Sequence, residues 1–166
     1  MRIIGIDPAL KITGFGIIDD HSGKFSLVRA GTINTPANKD LPSRLIQIFD
    51  AVNSLLLEFN PQVMVLEKIY SHSGHPATAF VLGQARGIIC LAAGKADLEL
   101  VEYSATHVKK SVVGRGLASK EQVQRMVCAL LGMKTLPKYK DVTDALALAI
   151  AYSYFSKANK FNSHLK

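Results

Sequence analysis

Two carboxylates stand at the ends of apolar runs, where a side chain can do chemistry. Asp7 follows the run 3–6, and Glu67 follows the run 63–66. Runs with almost no polar alternation predict strands that are covered on both faces, and ligands gather at the carboxyl ends of such strands. A turn in which Asp7 accepts a local hydrogen bond before Pro8 is the alternative that this stretch alone leaves open.

Asp141 and Asp144 form a second acidic pair, on a predicted helix. They are three residues apart, so about 60° separates them around the helix axis and both can face one point. Capping of the helix amino terminus, worth roughly 0.5 to 2 kcal/mol, explains this pair when it is taken alone. Two strand-end acids in the same chain favour a shared cleft instead. Four carboxylates there would repel one another. This repulsion would raise the pKa of the carboxyl groups, or it would require hard cations such as Mg2+ to neutralise them.

The elements that must position these acids follow from hydrophobic periodicity. Short connections join the first three strands into an antiparallel meander, and a crossover helix leads to a fourth strand that can lie parallel to the first. This arrangement places Glu67 beside Asp7. The predicted strands are 1–7, 13–18, 24–34, 63–67 and 99–103, with a turn at 19–23. The predicted helices are 45–59, 76–94, a short one that contains Lys109 and Lys110, one opened by the capping box Ser119-x-x-Gln122, and 141–155.

Length and composition predict one globular domain, residues 1–157, followed by a polar, frayed tail, 158–166. No run of about 18 apolar residues occurs, and the chain enters a strand at once, so neither a membrane span nor a signal peptide is expected. We therefore expect a cytoplasmic protein with no membrane partner. Cys90 and Cys128 form no C-x-x-C pair, which favours buried reduced thiols over a disulfide or a zinc site.

The net charge of +7 is concentrated in the carboxy-terminal part of the chain. Residues 1–103 hold nine Lys and Arg against ten Asp and Glu, whereas residues 104–166 hold eleven against three. This asymmetry favours a polyanionic partner, with a solvated basic face as the alternative.

Short motifs are spread over nearly the whole chain. They are Gly5-Ile6-Asp7-Pro8, Thr13-Gly14-Phe15-Gly16, Glu67 at a strand end, Leu82-Gly83-Gln84-Ala85-Arg86-Gly87, Glu102-Tyr103, Val108-Lys109-Lys110 and Asp141-Val142-Thr143-Asp144-Ala145-Leu146-Ala147. Together they closely resemble the RuvC family of Holliday junction resolvases. The resemblance implies an α/β, RNase H-like fold with a five-stranded mixed sheet of order 3-2-1-4-5 flanked by helices. It also implies a homodimer that resolves four-way DNA junctions by paired nicks in recombination and repair, and a partnership with the RuvA-RuvB branch-migration complex.

By match to the family pattern, the catalytic and metal-binding residues are Asp7, Glu67, Asp141 and Asp144. Two Mg2+ ions per site, with Mn2+ able to substitute, suit phosphodiester hydrolysis. Asp7 is the best candidate to bridge both ions, between Glu67 and Asp144. Asp141, at the helix entrance, can instead act through water or orient the nucleophile.

DNA contacts are expected from a basic group and one aromatic residue. Lysines and helix amino termini bind phosphates, and an exposed ring stacks on an unpaired base. The expected contacts are Tyr70, Lys109, Lys110, Arg115 and Lys120. The loop after Tyr70 departs from the family pattern, and its His72 and His75 fit phosphate or solvent contacts better than a metal site.

Two other classes of protein share features of this sequence. The Gly-Ile-Asp opening also resembles the phosphate loop of sugar kinases and actin-like ATPases, although those proteins need two such domains around the nucleotide. The other alternative is a non-catalytic junction-binding protein. For the dimer, Gly83 and Gly87 share a helix face that can meet either a second subunit or the chain's own sheet.

Overall fold

The computed structural model describes residues 1–68 and 76–163. Within them, five strands form one mixed sheet of order β3-β2-β1-β4-β5, as predicted. The strands are β1 (Arg2–Asp7), β2 (Ile12–His21), β3 (Lys24–Asn34), β4 (Val63–Glu67) and β5 (Glu99–Tyr103). The helices are α1 (Leu41–Phe59), α2 (Pro76–Lys95), α3 (Ala105–Val113), α4 (Lys120–Leu130) and α5 (Lys140–Ser163). None of these helices is both long and apolar enough to cross a membrane.

The sheet separates two layers of helices. Successive side chains along each strand point to opposite faces of the sheet, so each side chain faces one of the two layers. On β1 and β4, Ile4, Ile6, Met64 and Leu66 pack in the core with α1 and α2. Ile3, Val63 and Val65 pack in the core that contains α3, α4 and α5. Because side chains alternate along a strand, Asp7 and Glu67 fall on the α5 side of the sheet.

Strand pairing brings the two strand-end acids together. β1 pairs with β2 in antiparallel register and with β4 in parallel register, from Ile3 opposite Val63 to Ile6 opposite Leu66. The next residues on both strands are Asp7 and Glu67. The predicted crossover therefore places these residues side by side at the carboxyl ends of two neighbouring inner strands.

Glycines let α5 lie directly on the sheet. A Cβ atom on Gly5 would come within 2.0 Å of the Ala145 carbonyl oxygen, and one on Gly16 would come within 2.5 Å of the Leu146 side chain. Small, fully buried residues of α5, among them Ala145 and Ala149, also allow this approach. This close approach carries the first turn of α5, with Asp141 and Asp144, to the end of β1.

The sequence interpretation was wrong for residues 19–21, which continue β2 rather than forming a turn. The turn itself is limited to Ser22 and Gly23, both with positive φ, as a tight hairpin requires. Long-range partners keep the two acids in the strand. Arg2 pairs with Asp19, while Ser153 and Lys157 bind the buried Asp20.

Helix α5 also continues past its predicted end at Phe155, to Ser163. Residues 156–163 contain neither Gly nor Pro, so nothing in the local sequence stops the helix. The limits of the domain and the fraying of its tail remain predictions. Cys90 and Cys128 are both unpaired; Cys128 is buried as expected, whereas Cys90 is only half-buried.

Candidate active site

Three of the four predicted acids line one cleft. Asp7, Glu67 and Asp144 border a cavity of about 420 Å3, together with Pro8, Lys68, Leu82 and Lys120. β1 and β4 supply the first two acids from their carboxyl ends, and α5 supplies the third from its first turns. The cleft thus joins residues that lie far apart in sequence.

Asp141 borders a neighbouring groove rather than the same cleft. That groove, of about 510 Å3, is also lined by Asp7, and its walls include Leu10, Arg44 and Val81. Asp7 is therefore shared by two compartments, with Glu67 and Asp144 in one and Asp141 in the other. Asp141 lies inside α5, which begins at Lys140, so it does not occupy the capping position that the alternative interpretation requires.

Asp7 has the most perturbed charge in the cleft. Burial, followed by the negative charges of Asp144, Glu67 and Asp141 in that order, raises the pKa of Asp7 to about 7, against an opposing effect of Lys120. Burial also raises the pKa of Glu67, followed by the charge of Asp144, while Lys120, Lys109 and Arg86 oppose the rise. A carboxylate that is both desolvated and surrounded by like charge calls for a compensating cation.

Lys120 supplies part of that compensation. Its Nζ atom lies 3.3 Å from an Asp144 carboxylate oxygen, and the negative charge of Asp144 is the main reason that the pKa of Lys120 is raised. The capping box places this lysine, because Ser119 caps α4 and the Gln122 side chain bonds back to the Ser119 backbone. Lys120 is thus a cleft residue as well as an expected DNA contact.

The donor set fits divalent metal ions. Among the described residues, no group of three or more His, Cys, Asp or Glu side chains is already arranged to hold an ion. The cleft nevertheless offers several hard oxygen donors whose mutual repulsion a small divalent cation would relieve. Asp144 contacts Lys120 through one carboxylate oxygen, and its other oxygen could bind an ion.

The expected DNA contacts lie at different distances from the acids. Lys109 lines an extension of the cleft with Glu67, Lys120 and Asp144, whereas Lys110 is exposed. Arg115 is exposed in the connection between α3 and α4. Tyr70, His72 and His75 lie outside the described residues, so their roles remain predictions.

Sequence reasoning did not assign Lys68, which lines the cleft, or Arg86 on α2, which contacts Glu67. The Nη1 atom of Arg86 donates a hydrogen bond of 2.7 Å to the Glu67 carbonyl oxygen, and Nη2 pairs with the Glu102 carboxylate. Arg86 and Glu102 both belong to motifs that resemble those of the family. Because they carry opposite charges on elements that follow each other in the chain, the sequence could have suggested that they pair.

Comparisons with known proteins agree with this geometry. The family model for crossover junction endodeoxyribonuclease RuvC matches residues 3–152. A protein of that name from Brevibacillus brevis is 44% identical over 155 residues, covering 93% of each chain. Another from Syntrophomonas wolfei is 38% identical over 161 residues, covering 97% of this chain and 93% of its own. The solved structure of T. thermophilus RuvC in complex with Holliday junction substrate superposes with a TM-score of 0.89 at 28% identity, over 96% of each chain.

Proposed function

Because the chain belongs to the RuvC family of crossover junction endodeoxyribonucleases, it is a nuclease that resolves Holliday junctions, and we propose that Asp7, Glu67 and Asp144 form its catalytic centre. The observation that carries this assignment is Asp7 itself, half-buried among three other acids with its pKa raised to about 7. Membership of the family argues against the kinase-like alternative. The intact set of acids argues against a protein that only binds junctions.

Family nucleases depend on divalent metal ions, and we propose two Mg2+ ions per site, replaceable by Mn2+. Bound there, the ions would activate water and stabilise the charge of the reacting phosphate and the leaving oxygen. Asp7 borders both compartments of the site, so it is the residue suited to hold both ions. Glu67 and Asp144 would hold them from one compartment. Asp141 would act from the other, through a bridging water or by orienting the attacking water.

Lys120 and Lys109 balance the acids and would face the scissile phosphate. Both ammonium groups oppose the rise in the pKa of Glu67, which shows that their charge reaches the cleft. When a phosphate enters, Lys120 can exchange Asp144 for a phosphate oxygen. Lys110 and Arg115, farther out, would contact the backbone of the junction arms, and Tyr70 would stack on an unpaired base.

We propose that the outer face of α2 meets a second copy of the chain. Gly83 and Gly87 face away from the sheet, since a Cβ atom on either would meet no heavy atom of the described residues within 4 Å. Phe80 and Leu91 lie on the same helical face, 69% and 53% exposed. This finding disfavours the alternative in which the glycines pack against the chain's own sheet. Paired nicks also require two sites, and a closed two-fold dimer supplies them.

Two further proposals extend the family resemblance. The RuvA-RuvB branch-migration complex would act with this nuclease at the junction. The bacterial relatives support a cytoplasmic location, where the bacterial chromosome lies.

Cleavage of a synthetic four-way junction, measured with and without Mg2+, tests the proposal. The native chain should make paired nicks only with the ion, and Asp7→Asn should bind the junction without cutting it. Asp50→Asn is a matched control, because Asp50 is exposed on α1. An Asp7→Asn protein that cut at the native rate would contradict the assignment of the catalytic centre.

A further inference from the structure

Arg86 connects three elements at the edge of the cleft. It lies on α2, donates from Nη1 to the Glu67 carbonyl oxygen at the end of β4, and pairs through Nη2 with Glu102 of β5. The guanidinium presents its donors in a rigid fork, so the two contacts together fix its position relative to both strands.

The burial of this group shows that it is held in place. The Arg86 side chain is 12% exposed and the Glu102 side chain 40%. A guanidinium that is largely removed from water needs partners for its donors, and a single substitution would leave the other members of the set unpaired. The arrangement is therefore a clamp, defined here as Arg86, Glu102 and the Glu67 carbonyl group.

The clamp acts where the pairing of β4 with β1 ends, at a residue that is still paired with Tyr103 of β5. The register between β1 and β4 stops at Ile6 opposite Leu66, one residue before Glu67. On the other side, the Lys68 amide donates to the Tyr103 carbonyl oxygen, which ties the chain just after Glu67 to β5. Arg86 adds a bond to Glu67 itself, the residue whose carboxylate lines the cleft.

We propose that Arg86, held by Glu102, is a positioning residue that fixes the Glu67 backbone so that its carboxylate stays directed at the site shared with Asp7 and Asp144. This inference rests on the proposed function, because it concerns how that site is held. Arg86 has no direct role in the chemistry. Its effect is to keep one acid in place while ions and substrate bind, as outer partners of metal ligands do.

The chain contains a matched control at the opposite end of the sheet. Arg2 makes the same two kinds of contact, with Nε and Nη2 on the Asp19 carboxylate at 2.9 and 2.8 Å, and with Nη1 on the Phe59 carbonyl oxygen at 2.9 Å. Arg2 begins β1, whereas Asp7 ends it. Arg2→Gln therefore removes a similar ion pair and backbone contact away from the acids.

The test compares Arg86→Gln with Arg2→Gln in two measurements. In single-junction kinetics, Arg86→Gln should lower kcat by about 10 to 100-fold with KM for the junction changed less than about twofold. In thermal melting at increasing Mg2+, it should move the midpoint of the magnesium-dependent shift to a higher concentration. Loss of a positive charge alone would tighten magnesium binding and move that midpoint to a lower concentration. Arg2→Gln should lower only the melting temperature.

Glu102→Gln keeps the measurement decisive if Arg86→Gln fails to fold. It should lower kcat at saturating Mg2+ while the junction still binds. Native kcat in the folded variants, a midpoint that moves to lower Mg2+ in Arg86→Gln, or an equal loss of kcat in Arg2→Gln would overturn the inference. Asp7→Asn, measured beside them, separates the two proposals: if it abolishes cleavage while the clamp variants cut normally, the catalytic centre stands and the positioning role fails.

Discussion

Gly14 and Asp141 are in such close contact that a Cβ atom on the glycine would lie 2.1 Å from the Asp141 carbonyl oxygen. Gly14 is also the register partner of Asp7. Together with Gly5 and Gly16, Gly14 therefore allows the close approach of the sheet to the helix that carries Asp141 and Asp144.

Gly14→Ala should push α5 away from the sheet, because the new methyl group meets backbone atoms that cannot rotate aside. We expect a loss of about 1 to 3 kcal/mol in the free energy of unfolding, measured by urea denaturation, together with slower cleavage. Gly31→Ala is the matched strand control. Its Cβ atom would approach only the Phe15 ring, at 3.1 Å, so its loss of stability should be smaller and its cleavage retained. Equal effects of the two substitutions would contradict this role of Gly14.

Metal-free protein should lose stability as the pH rises because of Asp7. Its folded-state pKa of about 7 exceeds the ordinary value of 3.8, so the folded state binds the proton more tightly. The resulting stabilisation is present below about pH 4 and is lost as the pH rises through about 7, with a total on the order of a few kcal/mol. Asp7→Asn should remove this dependence, which melting in EDTA from pH 4.5 to 8.5 would measure. A difference between variant and native protein that did not change with pH would contradict the proposed burial of this charge.

The contribution of Asp20 to stability should change with pH in the opposite sense to that of Asp7: it should be lost as the pH falls. Burial alone would raise its pKa, but hydrogen bonds from Ser153, the Gly23 amide and Lys157 outweigh burial and lower it. The stabilisation is therefore present above the ordinary pKa of Asp and is lost as the pH falls through the lowered value. Asp20→Asn should lower the free energy of unfolding at pH 7 by roughly 1 to 3 kcal/mol, because it weakens the hydrogen bonds of a buried carboxylate whose partner Lys157 is partly exposed.

Asp50→Asn, on an exposed surface of α1, is the control for that substitution and should change stability by less than about 0.5 kcal/mol. Junction cleavage at low temperature should survive Asp20→Asn, since Asp20 lies near the β2–β3 turn rather than at the cleft. Native stability in this variant would mean that the Ser153 and Lys157 contacts contribute nothing.

The dimer proposal predicts that a bulky charge at Gly87 produces a folded monomer. Gly87→Arg places the new side chain on the open face of α2, so it should block the second copy without disturbing the chain's own core. Sedimentation equilibrium would show the change in mass, and junction assays should show single nicks in place of paired ones. Leu57→Arg adds the same charge at an exposed site on α1 and should remain dimeric. A Gly87→Arg protein of native mass would place the interface elsewhere.

Local sequence was enough to predict the strands and the two strand-end acids, whereas the order of the strands in the sheet came from the family resemblance. Periodicity identified the buried runs before Asp7 and Glu67, and the crossover rule made their strands parallel neighbours. Residues 19 and 20 were misread as a turn because two adjacent Asp residues favour turns locally. Their partners, Arg2, Ser153 and Lys157, are visible only after folding.

The same limit applies to the details of the site. The capping box at Ser119 predicted where α4 begins, but the contact between Lys120 and Asp144 depends on how α4 packs against α5. The contact of Arg86 with Glu67 depends on how α2 lies over the strand end. Neither follows from spacing along the chain, because no periodicity relates residues on different elements.

The central claim is that Asp7 is the shared ligand of a metal site bounded by Glu67, Asp144 and Asp141. Anomalous diffraction from crystals soaked in Mn2+ tests it most directly, since Mn2+ scatters anomalously and replaces Mg2+ at oxygen ligands. We predict two Mn2+ peaks in the cleft, both within coordination distance of the Asp7 carboxylate, and the loss of at least one peak in Asp7→Asn crystals. Peaks that avoid Asp7, or an empty cleft at saturating Mn2+, would contradict the account.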